Sequence, residues 1–390
     1  MRKIAVIFES SPFDRKGLFN AVHNRILHLV NTGECSVDAY CIHSWDNAFT
    51  RKVRHTPEIT ARCDELDIDG ISYRMLWYDF SITDHILVTK LHRPPFFFAR
   101  FVKKYLDALN GYDMIIAHSF TGGLFAYEAS KRYGMPYFVN WHGSDIHTHP
   151  WSNELTLRWT EKIMSCASAN FFVSSALKEA SDRIVKDTPK YILYNGVSDK
   201  FMTLSDEKVF AMKTGYGVNP DVRIVAFVGS IVEVKNVRVL HSIFSSIRSL
   251  YPGPIQFWMV GDGKLRAEIE AAMAKDTCLD VRFWGNVPAD DMPSVMNCID
   301  LMVLPSLNEG LPLVCAEAIR CGANVVGSRV GGISEVIGLE NTVPLGDGFV
   351  EGISTLAVQK LLQPQRQSLP PELDWALSAA KELSAIKKVL

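Results

Sequence analysis

The sequence predicts an α/β protein made of two doubly wound, parallel-sheet domains facing a central cleft. Three observations carry that expectation. Short apolar runs alternate with helix-length amphipathic stretches along most of the 390 residues, the pattern of strands joined by helical crossovers. The apolar runs are continuous rather than alternating, which marks strands covered on both faces. The rhythm restarts after Val197, so a second sheet is expected rather than an extension of the first. In open sheets of this kind ligands bind beyond the carboxyl ends of the strands.

In the first domain, residues 1–197, Lys3–Phe8 (KIAVIF) reads as the opening strand and Gly17–Asn31 as the helix after it. Met114–Ala117, Tyr137–Asn140 and Asn170–Val173 read as strands. Leu124–Arg132 and Ala176–Val185 read as helices, the second with Ser174 and Ser175 as N-cap candidates. Asn195–Tyr216 combines turn residues with weak periodicity and reads as the linker. In the second domain, residues 198–373, the strands are Arg223–Val228, Ile255–Val260, Val281–Trp284, Leu301–Leu304 and Asn324–Gly327, each running straight into a turn-forming residue. Asp374–Leu390 reads as a long helix.

Composition removes several classes. Hydrophobic residues make up 47% and charged residues 22%, which excludes disorder and coiled coil as the main architecture. A net charge of −2 argues against a nucleic-acid partner, which calls for a basic excess. The eight cysteines show no Cys-x-x-Cys and read as scattered thiols of a reducing compartment, with no metal site. Glu9 cuts the first apolar run too short for a signal peptide, and no run suffices for a membrane span. A cytoplasmic protein is expected.

The most informative stretch is Pro305–Ile337. A strand ends at Leu304, and a helix is expected to start near Leu311 with Pro312 in its first turn, where a missing N–H costs nothing. The free amides of such a helix start make a site for a diphosphate. Asn308, Glu309, Gly310, Leu311, Pro312 and Leu313 fall at that site. Glu317 follows Glu309 by eight residues, about two turns, with apolar flanks that argue against a solvated face. Two carboxylates so placed can accept hydrogen bonds from two sets of hydroxyls, as on a nucleotide sugar. Phe227–Asn236 supplies a second phosphate element: Gly229 permits close backbone approach, and Lys235 is a compact cation for a leaving diphosphate.

These residues resemble a known family. Pro305-Ser306, Glu309-Gly310-Leu311-Pro312-Leu313, Glu317-Ala318 and Gly331-Gly332-Ile333-Ser334-Glu335 look like the donor signature of the retaining glycosyltransferases of family four. Their fold is GT-B, two Rossmann-like domains. The resemblance spans nearly the whole chain and is most specific after Val222. It implies that Glu309 meets the donor sugar's hydroxyls and Glu317 the ribose. Gly261-Asp262-Gly263 resembles the family's turn beside the nucleotide, and Phe283–Val287, with Trp284, its base-edge strand. Ser230 departs from the pattern, standing where the family usually has Arg. In the first domain, Lys16-Gly17 stands where a Gly-Gly is common, and Asn140–Asp145 (NWHGSD) is similar to the family's His-Gly-x-Asp. His142 is then expected to point at the transferred sugar, with Gly17, His118 and Asp145 toward the acceptor. The last helix is expected to cross back to the first domain.

The resemblance implies a metal-independent hexosyl transfer with retention, from a nucleoside-diphosphate sugar to a glycan, lipid-linked or small-molecule acceptor, in polysaccharide or glycolipid biosynthesis. No cofactor is implied beyond the co-substrate. Two rivals use the same fold: a nucleotide-sugar epimerase, which would turn over donor without acceptor, and a silent nucleotide-sugar-binding protein, which Ser230 favours. His92–Lys104 (HRPPFFFARFVKK) joins a phenylalanine cluster to five basic residues. It reads either as a core-packed amphipathic helix or as a peripheral contact with the inner face of the membrane.

Overall fold

A computed structural model describes residues 2–13, 17–54, 59, 61–363 and 365–390. The chain divides into two compact units, Met1–Leu193 with Trp375–Leu390, and Tyr194–Asp374. The first boundary lies just before the expected one because Tyr194 and Val197 are bonded into the second unit. The Tyr194 hydroxyl donates to Glu335 at 2.8 Å, and the Val197 N–H to the Leu373 carbonyl at 3.2 Å.

Among the described residues, the first unit carries an eight-stranded sheet. Its strands are β1 (Arg2–Glu9), β2 (Cys35–Asp46), β3 (Glu65–Ile68), β4 (Ile71–Phe80), β5 (Met114–His118), β6 (Tyr137–Trp141), β7 (Ala169–Phe172) and β8 (Lys190–Ile192). The order is β3-β4-β2-β1-β5-β6-β7-β8, parallel except for the β3–β4 hairpin. β5 and β6 are buried along their whole length, as continuous apolar runs require. The helix Ser119–Tyr133 lies so close to β1 that a Cβ on Gly122 would stand 2.4 Å from the Ile7 carbonyl oxygen. Ser174 caps the helix Ser175–Ala180 by accepting from the Leu177 N–H.

The helix Trp375–Val389 packs in the first unit, where Leu383 and Ile386 join the core of β1, β2 and the helix Gly17–Asn31. It is also held by charge. Glu382, fully buried, accepts from Arg25 at 3.5 Å and from the Asn140 amide at 3.2 Å.

The second unit carries a six-stranded, fully parallel sheet among the described residues. Its strands are β9 (Arg223–Val228), β10 (Ile255–Val260), β11 (Val281–Gly285), β12 (Leu301–Leu304), β13 (Asn324–Ser328) and β14 (Thr342–Val343). The order is β11-β10-β9-β12-β13-β14. Its core is separate from that of the first unit. Each unit is thus a doubly wound sheet, as the sequence predicts.

Two local expectations are corrected. The stretch read as linker contains the helix Asp206–Gly215. That helix buries only Lys213, whose ammonium meets Asp300 at 3.1 Å and the Val222 carbonyl, so no apolar periodicity marks it. The helix expected near Leu311 begins at Leu313, and Pro312 is its cap residue with ψ 88°. A residue preceding proline is pushed out of the α region, so Leu311 cannot open the helix. No helix among the described residues is long and apolar enough to cross a membrane.

Candidate active site

In the second unit, four loops leave the carboxyl ends of neighbouring strands: 229–235 after β9, 261–265 after β10, 305–312 after β12 and 329–332 after β13. Main-chain bonds tie them into one body. The Gly229 N–H donates to the Val260 carbonyl, the Ile231 N–H to Asp262, the Leu307 N–H to Val234 and the Gly332 N–H to Glu309, at 2.8–3.2 Å. Glycine permits the closest approaches. A Cβ on Gly261 would lie 2.0 Å from the Gly229 carbonyl oxygen, and one on Gly331 1.9 Å from that of Glu309. Gly331 also has φ 49°, a left-handed conformation that suits glycine. The Gly331-Gly332 pair thus braces the loop that carries Glu309.

The side chains converge on that loop. Glu309 Oε1 accepts from Lys235 Nζ at 2.5 Å and from Ser306 Oγ at 2.7 Å. The two charged side chains are only 11% and 20% exposed, so their attraction is weakly screened. An ammonium has three N–H groups; with one on Glu309, Lys235 keeps others for a ligand. Ser306 is fully buried; the sequence marks it only as part of the Pro305-Ser306 turn, with no role of its own.

Glu317 sits one turn into the helix Leu313–Arg320, partly buried, with no hydrogen bond or ion pair to its carboxylate among the described residues. Burial pushes its carboxyl up to about 7. Cys315 lies close by: burial raises its thiol, and the charges of Glu309, Lys235 and Glu317 all act on it. The predicted carboxylates and the lysine therefore share one neighbourhood.

The other expected donor residues are placed as follows. Ser230 is exposed on the β9 loop, and Asn308, Gly310, Leu311 and Leu313 are partly exposed around Glu309. Asp262 accepts from the Gly263 N–H at 2.7 Å and from Arg266 at 3.1 Å. The Trp284 ring is held among Tyr216 and Trp258, with the Arg282 guanidinium 4.1 Å over it. That side chain is engaged in packing, leaving main chain as what the strand end offers a ligand.

In the first unit, β5 and β6 end side by side and bring two histidines together. His118 Nδ1 and His142 Nε2 are 3.0 Å apart, with the rings stacked. Burial, then the Arg25 charge, lowers His142 to about 3, and burial lowers His118 well below its ordinary value. Both rings are neutral at pH 7, so one N–H is shared between them. Asp145 faces inward: its carboxylate accepts from the main-chain N–H groups of His142 and Gly143 at 2.7–3.1 Å. It shapes the turn that carries His142 rather than opening toward an acceptor. Gly17 begins its helix at φ 39°, with open space around a built Cβ; Lys16 lies outside the described residues.

Sequence reasoning used Glu9 only as the end of an apolar run. In the structure it accepts from the Tyr78 hydroxyl at 2.9 Å and Thr121 Oγ1 at 2.6 Å. Beside it lies a cavity of about 270 Å³ whose lining includes Phe13, His43, Trp45, Asp46 and Arg54. His43, Trp45 and Asp46 lie on β2, Arg54 ends the helix after it and Phe13 follows β1, so no single motif announces them.

Residues 222–359 match the family model described as glycosyl transferases group 1, and residues 28–191 match the glycosyl transferase 4-like domain. An uncharacterized glycosyltransferase of Methanocaldococcus jannaschii is 25% identical over 276 residues, 68% of this chain and 72% of that protein. TuaC of Bacillus subtilis, a glycosyltransferase assigned to teichuronic acid biosynthesis, is 26% identical over 227 residues, 58% of this chain and only 55% of its own length. The crystal structure of Anabaena HepE in complex with UDP and glucose superposes with a TM-score of 0.68 at 17% identity, covering 99% of this chain and 98% of that one. At that identity the likeness is one of fold, GT-B.

Proposed function

The chain belongs to the group 1 glycosyltransferases, and from that footing we propose that it transfers a hexosyl unit, with retention and without a metal, from a nucleoside-diphosphate sugar. The observation that carries this reading is the set formed by Glu309, Lys235, Ser306 and the unpartnered Glu317 at the start of the helix Leu313–Arg320. An unpartnered, partly buried carboxylate calls for hydroxyl donors, and we assign Glu317 to the ribose. Glu309 takes the hydroxyls of the transferred sugar. Lys235, with the amides of Gly310, Leu311 and Leu313, faces the diphosphate, where negative charge grows as the glycosidic bond breaks. Gly229, Ser230 and the turn Gly261-Asp262-Gly263 complete the donor cradle.

In the first unit, we assign neutral His142 a hydrogen-bonding role toward a sugar hydroxyl, with His118 fixing its tautomer and Asp145 its turn. The cavity beside Glu9, with aromatic walls and carboxylates, is suited to a glycan, lipid-linked or small-molecule acceptor. We place the activity in the cytoplasm, in polysaccharide or glycolipid synthesis; the eight cysteines, all free thiols, suit a reducing compartment.

Calorimetry with uridine, guanosine, adenosine and thymidine diphosphates tests the donor site, one base being expected to bind best. Turnover of the matching sugar nucleotide should survive EDTA and give product of unchanged anomeric configuration by NMR. An inverted product, or activity lost to EDTA, refutes those parts of the reading. Isomerised donor formed without acceptor would favour the epimerase.

A further inference from the structure

The helices Ile82–Thr89 and Phe98–Tyr105 of the first unit are joined by the segment 90–97. The amphipathic stretch expected over 92–104 divides here. Phe101 and Val102 are buried and Phe98 is half-buried, whereas Phe96 and Phe97 are 75% and 63% exposed. Ile86, Val88 and Leu91 are exposed too. So large an apolar edge calls for an occupant.

The segment that presents this edge is firmly built. Buried Asp84 caps its own helix through Ser81 and accepts from the Phe96 N–H at 2.7 Å. The Asn153 amide donates to the His92 carbonyl at 2.7 Å, and the Phe96 and Phe97 rings meet edge to face at 4.9 Å. Within the segment itself, residues 81–105, the exposed charge has one sign. Lys90, Arg93, Arg100, Lys103 and Lys104 are all exposed, and the one carboxylate between residues 81 and 105 is the buried Asp84.

We propose that this edge docks peripherally on an anionic lipid surface, Phe96 and Phe97 entering the boundary between headgroups and acyl chains while the cations meet the phosphates. Exposed apolar rings alone would equally suit a protein; cations without counter-charges in the segment select an anionic bilayer. The inference rests on the transferase reading only for its purpose, which is to bring the acceptor site to a lipid-linked acceptor.

Sedimentation of the full chain with extruded vesicles tests it. We expect binding to mixed phosphatidylcholine–phosphatidylglycerol vesicles that weakens as salt rises, and little binding to phosphatidylcholine alone. Phe96→Ser with Phe97→Ser, and separately Arg93→Glu with Lys103→Glu, should each lower the partition coefficient by about tenfold or more. Val88→Asn, a single exposed change, should lower it as well and serves if a paired variant fails to fold. No binding to the mixed vesicles, or binding that every variant keeps, overturns the proposal. So does a phenylalanine variant that turns a dimer into a monomer in sedimentation velocity, since the occupant would then be a second copy. These variants should turn over a water-soluble acceptor at the parental rate, so a failure of docking is distinguishable from a failure of the transferase reading.

Discussion

Glu317 is a carboxylate that folding leaves without a partner, and its raised pKa records the cost. Between its ordinary value of 4.5 and about 7, the unfolded chain is ionised there while the folded chain still holds a proton. Stability from this group therefore falls as pH rises through that window. Glu317→Gln removes the titration, so the variant should melt above the parent at about pH 8, with the advantage gone near pH 4. The same change should weaken nucleoside diphosphate binding by about 1–2 kcal/mol, because a charge-assisted acceptor becomes a neutral one. Ligand hydroxyls donated to the ionised carboxylate pull its pKa down. Binding by the parent should accordingly strengthen as pH rises through about 7 and release protons, measurable by calorimetry in two buffers of different ionisation enthalpy. Lys235 answers to a different readout. Lys235→Ala should raise the barrier to turnover by about 2–4 kcal/mol and weaken diphosphates more than nucleosides. Unchanged turnover would reduce the Lys235–Glu309 pair to a structural tie.

At the scale of the element, the glycine turns decide the geometry. Gly331→Ala puts a methyl where the Glu309 carbonyl stands and forces alanine to φ 49°. A loss of about 1–3 kcal/mol is expected, together with weaker donor binding, since the Glu309 loop must retreat. A thermal melt and a nucleotide titration check both; a variant that melts and binds like the parent would show the loop free to adjust. What was legible beforehand follows from burial. β9, β10, β12 and β13 are covered on both faces and read as unbroken apolar runs, so their positions were plain in the sequence. β2 mixes buried with half-exposed residues and β4 buried with exposed ones, and their runs (CSVDAYCIHSWD, ISYRMLWYDF) carry no continuous signal. Glu309 and Lys235 were each legible from their own loops. Their meeting across 74 residues was not, because strand order decides which loops become neighbours. The two histidines were closer to view, since parallel pairing sets His118 opposite Asn140, two residues before His142.

At the scale of the whole molecule, the chain enters the second unit after Leu193 and returns to the first at Trp375. Glu382 secures that return, so Glu382→Leu should cost about 3–5 kcal/mol in urea unfolding by leaving the buried Arg25 short of a carboxylate. Arg25→Met in the same chain should restore most of it; additive losses would show that the two side chains are not coupled. The return also has a consequence for how the protein is made. A ribosome adding roughly 5–20 residues per second delivers β1 to β8 first, and then needs roughly 10 to 40 seconds to deliver the second unit, Tyr194–Asp374, before Trp375 emerges. Throughout that interval the nascent first unit lacks its last core helix, with Arg25 and Asn140 still waiting for Glu382. The second unit, contiguous in the chain, can finish first. Order of maturation is thus reversed relative to order of synthesis, and the half-made first unit is the species a chaperone would hold.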